Sequence, residues 1–408
     1  MSSAPAADAM ETLTLGFMPL VDCAPLVVAK ELGFAEAEGL RLKLARETSW
    51  ANVRDRVIVG HFDAAHMLAP MPIASTLGLG SLATPMIAPF SLGLGGNAIT
   101  LSPPLVEAMQ QSGGRLTDGP AALARAFAGV VAGRASPPRL AVVHPFSAHN
   151  YELRYWLAFA GLDPDRDAEI VVLPPPLMAD ALREGRIDGF CAGEPWNSLA
   201  VEAGLGAIVA TKSALWRQGP DKVLGLRADF LERRPKALQP LIRALHAAAA
   251  WAGAPQNHAT LAELLARGEY LDAPAEILLR ALSGRIALAP GAAPAQIPDF
   301  LEFHAHAANF PWRSHALWFA AQMARWGQVA YSPQRFARAA AVYRPDLFRA
   351  ALAPVGVDVP RADAKVEGAL IRPTPVASRL GTMVLGPDGF FDGGRFDPDA
   401  VEAYLAAF

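Results

Sequence analysis

Two segments open a helix with residue types suited to gripping a small anion. In "TSWANVRD" Ser49 is placed as an N-cap and Trp50 as the first helical residue. In "FSAHNYELRYWLAFAGLDP" His149 stands where a polar turn gives way to a helix, with Leu153, Trp156, Leu157 and Ala160 on one apolar face and Gly161 and Pro164 closing the far end. The unpaired N–H groups and roughly half a positive charge at a helix start can hold an oxyanion without a dedicated motif. Dipoles alone fall short, because removing a monovalent anion from water costs several kcal/mol and each terminus returns about 1 and at most about 2 kcal/mol. A full positive charge must complete the site. Lys222 in "GPDKVLGLRAD" is the candidate, since it precedes an apolar run where the chain returns from its second half to its first. Trp50 is expected edge-on, because the indole face repels an anion while its edge and N–H attract one. Asn97 in "GGNAI" can donate a side-chain amide, and Gly193 in "AGEPW" can offer a backbone N–H where a side chain would obstruct.

Each of these residues also has an ordinary reading. His149 can be a capping or surface histidine, Trp50 simply core, Lys222 a solvated lysine, Asn97 a turn former and Gly193 a tight-turn glycine. Other candidates are weaker. His304 and His306 are two apart, and His61, His66 and His315 lack the i, i+4 spacing or carboxylate partner of a metal site, so structural roles are expected. Cys191 sits inside the apolar run "DGFCAGEPW" and reads as a small buried residue. No P-loop, no GxGxxG after a strand and no GxSxG elbow occurs. No catalytic set, metal or cofactor is expected.

The elements around these residues are those of an α/β protein. At 408 residues the chain is long for one core, so two lobes are expected. Hydrophobic residues make up 52% and charged residues 18%, which suits a well-filled globular protein. Lys plus Arg (36) nearly balances Asp plus Glu (39) without like-charge blocks, so direct nucleic-acid binding is not expected and a charged ligand must be small. "MSSAPAADAMETLTLGFMPL" lacks a basic n-region and a continuous apolar stretch and reads as a loose leader running into a strand. The two cysteines, Cys23 and Cys191, build no disulfide framework. A soluble, cytoplasmic protein is the expectation, with no membrane partner.

"TLTLGFMP", "LRLKLARE" and "FDAAHML" alternate as strands, with helices in "DCAPLVVAKELGF" and "SWANVRDRVIVG" between them. A mainly parallel sheet follows, with ligands beyond the carboxyl ends of its strands. After "LGLGGNAITLS" a Pro-, Gly- and Ser-rich stretch with one helix leads to a second βα series in "RLAVVHP", "AEIVVLPPP" and "IDGFCAGEPW". From "KVLGLRADFLERRP" onward the chain reads as helical. The expected divisions are a flexible leader 1–11, the first part of lobe 1 at 12–98, lobe 2 at 99–221, and a return to lobe 1 with a helical carboxyl-terminal part at 222–408.

"GFMPLVDCAPLVVAKELGF", "SWANVRDRVIVGHFDAAHMLAPMP", "HNYELRYWL", "PPPLMADALREGRIDGFCAGEPWN" and "ANFPWRSHALWFAAQMARWGQ" together resemble the nitrate- and bicarbonate-binding proteins of ABC importers. The likeness, running from about residue 12 through "FFDGGRFDP", is strongest to the cytoplasmic nitrate/nitrite sensors of the NasS type. It implies a type II periplasmic-binding-protein fold, two α/β lobes closing on an oxyanion. It also implies nitrate or nitrite as ligand at Trp50, His149, Gly193 and Lys222. Nitrate binders carry a glutamine where this chain has Asn97, one methylene shorter, so a bridging water can replace direct contact. His149 with Lys222 fits nitrate or nitrite better than bicarbonate, whose binders in the family are associated with calcium. The implied role is a sensor that holds an RNA-binding antiterminator of the NasT type and releases it on nitrate or nitrite. The alternative is the substrate-binding component of an importer.

Overall fold

The computed structural model describes residues 10–80 and 82–408. Residues 1–9 of the expected leader lie outside the described residues, and Glu11 already belongs to the first strand, β1 (Glu11–Phe17).

β1 pairs in parallel along its whole length with β2 (Leu40–Arg46) and, near its end, with β3 (Ala64–Leu68). The helices between these strands begin and end where local chemistry dictates. Ala24–Glu31 carries a proline in its first turn and gives way to Gly33 at φ 77°, a left-handed position that favours glycine. Trp50–Ile58 is capped by Ser49, whose Oγ accepts from the Asn52 amide at 3.2 Å.

The next two strands, β4 (Met86–Gly95) and β5 (Asn97–Leu101), fall in different sheets. Gly95 and Gly96, both at φ +82°, make the crossing, and a Cβ on Gly95 would stand 2.3 Å from the Phe300 carbonyl oxygen. The second sheet holds β6 (Arg139–Val142), β7 (Glu169–Val172), β8 (Gly189–Gly193) and β9 (Ala207–Thr211) with β5, in the order β7-β6-β8-β5-β9. The chain then returns through β10 (Pro220–Arg227). A small pair, β11 (Arg285–Ile286) with β12 (Ala295–Gln296), precedes β13 (Leu301–Glu302). The first sheet is ordered β13-β4-β10-β3-β1-β2.

Two expectations change. "KVLGLR" is a strand rather than the start of a helical region, because β10 lies between β4 and β3, is buried along nearly its whole length and so shows no polar alternation. It runs antiparallel to both neighbours, as β5 does to β8 and β9, so each sheet keeps a parallel part and gains antiparallel crossing strands. The stretch before β6 carries two helices, Pro103–Gln111 and Pro120–Ala132, where one was expected; Gly113, Gly114 and Gly119 separate them.

Lobe 1 is backed by the helix Leu238–Ala252, which buries Leu238, Leu241, Ile242, Leu245, Ala248, Ala249 and Ala252 at helical spacing. Truncating Leu245 there removes a buried side chain and costs about 2–5 kcal/mol. A second apolar cluster spans both lobes, joining Met18, Leu20 and Trp50 to Phe190, Ala192 and Trp216. Among the described residues no helix is long and apolar enough to cross a membrane.

Candidate functional site

Beyond the strand ends, where the lobes meet, the sheets deliver polar side chains into a shared interior. Asn97 and Gly193 are directly opposite partners across β5 and β8, and Lys222 on β10 is registered against Leu68 and Gly93. Trp50 arrives on the first residue of its helix. His149 arrives on the second residue of the helix Ala148–Phe159, whose cap is Ser147: its Oγ accepts from the Asn150 amide at 3.0 Å and donates to the His144 carbonyl at 2.7 Å. Both helices thus put their first backbone amides ahead of the capped one, on the side from which an anion would approach.

All five expected residues are brought close together. Trp50 and Lys222 are 1% exposed, and Asn97 and His149 are fully buried. The Lys222 ammonium lies 5.5 Å from the centre of the Trp50 ring. A Cβ on Gly193 would come within 2.9 Å of Leu20 Cδ2, 3.4 Å of Asn97 Oδ1 and 3.7 Å of Asp22 Oδ2, so a side chain there would intrude on the shared space. Burial rules out a surface role for His149, and the backbone amide is capped by Ser147 rather than by its ring.

Several of these polar atoms have no hydrogen-bond partner among the described residues: Trp50 Nε1, both ring nitrogens of His149, Asn97 Oδ1 and Asp221 Oδ1. An unpaired buried polar atom costs about 1–3 kcal/mol, so a cluster of them marks a place built for something else.

Two electrostatic expectations need correction. Lys222 is no lone ammonium: its Nζ donates to Asp22 Oδ2 at 2.8 Å and pairs with Asp221. Burial opposes its charge, but these carboxylates hold its pKa above the ordinary lysine value. Asn97 does not aim its amide N–H inward; Nδ2 donates to Glu152 Oε2 at 3.3 Å and leaves the carbonyl oxygen facing Gly193.

Five further residues frame the site. The His66 Nδ1 accepts from the Met18 amide at 3.4 Å, and its Nε2 lies 2.8 Å from Asp22 Oδ1. The His66 ring also packs against Trp50, centroids 5.3 Å apart. Asp22 is buried, which would raise its pKa, yet Lys222 and His66 outweigh that and hold it well below the usual carboxylate range. Asp221 is likewise held low against burial, by Lys222, His149 and Lys212. Glu152, one helical turn from His149, pairs with Lys212, and burial still lifts its pKa. His149 itself is pushed down to about 3, chiefly by burial, with Lys222 and Lys212 adding to this and Asp221 and Asp22 opposing it.

Of these framing residues only Glu152 left a readable trace in the sequence, its i, i+3 spacing from His149. The arrangement can bind an anion, and neither cysteine offers a thiolate, since Cys23 and Cys191 are buried with thiol pKa values pushed up by burial.

Residues 6–266 match the NMT1-like family. The chain belongs to that family. It is 38% identical over 84% of its length to the nitrate import ATP-binding protein NrtC of Synechocystis, of which it spans 50%. It is 34% identical over 96% of its length to the nitrate/nitrite binding protein NrtA of Synechococcus elongatus, spanning 85% of that protein. The crystal structure of the periplasmic nitrate-binding protein NrtA from Synechocystis superposes with a TM-score of 0.86 at 28% identity, covering 98% of each chain. This NMT1-like chain is thus close to the NrtA proteins and has the α/β, two-lobed fold of periplasmic binding proteins.

Proposed function

We propose that the protein binds nitrate or nitrite between its lobes, as the substrate-binding component of a nitrate importer, and turns nothing over. The observation that carries this is the set of partnerless buried atoms, Trp50 Nε1 and the two nitrogens of His149, gathered with Lys222 at two helix N-termini. In this reading Trp50 donates its indole N–H edge-on, His149 and Lys222 supply charge-assisted donors, Gly193 supplies a backbone amide, and Asn97 acts through a bridging water. Divided at the Gly95–Gly96 crossing and at the start of β10, lobe 1 comprises 11–95 and the return from 220, and lobe 2 comprises 97–219, about two residues from the expected boundaries at 98/99 and 221/222. The similarity to NrtA supports the same ligand class.

Titration calorimetry of the purified chain with nitrate, nitrite, bicarbonate and sulfate tests this. Binding of nitrate or nitrite in preference to the other two is expected; absence of binding by both overturns the reading.

The sensor reading keeps the same ligand and adds a partner, the RNA-binding antiterminator of the NasT type, and a cytoplasmic location. The similarity to importer components favours it less. Co-purification with the antiterminator, released by nitrate, together with cell fractionation, tests it; no complex in the absence of nitrate would end it.

A further inference from the structure

The buried groups around this site do not balance. Asp22, Asp221 and Glu152 bring three carboxylates, and Lys212 and Lys222 two ammonium groups, every one of them 3% exposed or less except Asp22 at 6%. The neighbouring titratable rings are His66, whose Nδ1 accepts from the Met18 amide and whose Nε2 lies 2.8 Å from Asp22 Oδ1, and His149. Filled with neutral rings, this interior is more negative than positive before any ligand arrives. Adding a monovalent anion would put a second uncompensated charge where isolated charges cost several kcal/mol each.

The unsatisfied atoms show how the anion's own charge can be offset. Trp50 Nε1 is a donor, while Asn97 Oδ1 and Asp221 Oδ1 are acceptors. A neutral imidazole at His149 has one donor and one acceptor nitrogen, and its acceptor nitrogen would meet only repulsion from an anion or a carboxylate. A protonated ring has two donors. The charges that act on His149 are Asp221 and Lys222 from β10, Lys212 from the short helix Lys212–Leu215 after β9, and Asp22 from the segment after β1, with Glu152, one turn along the helix of His149, paired to Lys212. Asp221 exerts the largest charge effect of these on the ring, and it favours protonation.

Resting on the anion-binding reading, we propose that the anion enters together with one proton from the solvent, and that the ring of His149 holds it, turning the imidazole into an imidazolium set between the anion and Asp221. The proton is part of the ligand. The carboxylate excess then acts as selectivity: it opposes an anion arriving without a proton, whereas an anion that enters with one leaves the net charge of the interior unchanged.

Calorimetry in PIPES, HEPES and Tris at the same pH reads proton uptake as the slope of observed enthalpy against buffer ionisation enthalpy. A slope of about one proton per nitrate near pH 7.5 is expected, with affinity falling about tenfold per pH unit across the plateau. A slope near zero with binding intact overturns the proposal and leaves the anion-binding reading standing; no heat in any buffer overturns the reading itself. Glu194, a buried carboxyl next to Gly193 whose pKa is raised to about 7 by burial, is the rival proton acceptor. His149→Gln is expected to abolish the slope along with most of the affinity, while Glu194→Gln keeps it. Retention of the slope in His149→Gln, or its loss in Glu194→Gln, assigns the proton elsewhere and refutes the proposal.

Discussion

Replacing Lys222 by methionine probes the charge cluster most directly. Methionine keeps most of the lysine stem's volume, so the change reports the charge rather than a cavity. Lys222 is 1% exposed and bonded to both Asp22 and Asp221. Removing one partner of a buried ion pair costs about 3–5 kcal/mol, because the remaining charge stays buried and uncompensated. Here Asp221 loses its hydrogen-bonded partner and Asp22 keeps only His66, so a cost within that range is expected. The pH dependence gives a second, independent signature. In the native protein the lowered Asp22 and Asp221 contribute stability that is present above the unfolded value near pH 4 and is lost only as the pH falls through their lowered values. Without the ammonium, burial dominates and raises them. The folded variant then holds protons that the unfolded chain releases, and its stability declines as pH rises above about 4. Urea unfolding followed by tryptophan fluorescence at about pH 5 and pH 8 should therefore show native and variant curves diverging with pH. Adding Asp221→Asn to Lys222→Met should recover about half the loss. A Lys222→Met protein within about 1 kcal/mol of native at both pH values would refute the claim that this cluster is desolvated and mutually stabilising.

Other perturbations separate the remaining contributions. Trp50→Phe keeps the ring but deletes the partnerless Nε1, and losing one hydrogen bond to an anion should weaken nitrate binding roughly ten- to hundredfold in calorimetry without unfolding the protein. Gly193→Ala pushes a methyl toward Leu20 and the Asn97 oxygen; since Leu20 can shift, stability should change by about 1 kcal/mol or less while affinity drops about tenfold. Glu194 has a raised folded-state pKa of about 7, so it removes stability as pH rises from its unfolded value near 4.5 through about 7. Glu194→Gln should flatten that stretch of the stability profile by up to about 3 kcal/mol.

What the sequence exposes is whatever one segment can encode alone. The strand-then-capped-helix pattern at Ser49–Trp50 and again before His149 is local, and both helices begin there because a serine accepts from the amide three residues on. Asn97 and Gly193 were visible as residues but not as neighbours, since their pairing depends on the register between β5 and β8, which lie far apart in the chain. The counter-charges were invisible for the same reason. Asp22 and Lys222 are 200 positions apart and each looks like a surface residue until two lobes bury them. β10 was misread because a central strand covered on both faces loses the alternation that identifies strands.

The matched lysine changes how the site must discriminate. A bare ammonium would make any small anion a good ligand, since attraction would depend on charge alone and hardly on shape or proton content. With Lys222 already held by Asp22 and Asp221, and Lys212 by Glu152, net attraction for an anion is weak, and affinity has to come from donors aimed at particular oxygens. Those donors are contributed by both lobes, Trp50 from one and His149 from the other, while contacts such as the Val21 amide on the Glu194 carbonyl at 2.9 Å join the lobes directly. An anion bridging Trp50 and His149 is bound fully only when the lobes are together, and so it stabilises closure by as much as the open form fails to bind it. Cutting either donor should therefore weaken the ligand-induced closure seen by small-angle scattering in proportion to the affinity lost. Closure that survived the loss of nitrate binding would show that the contacts between the lobes, and not the shared anion, hold them shut.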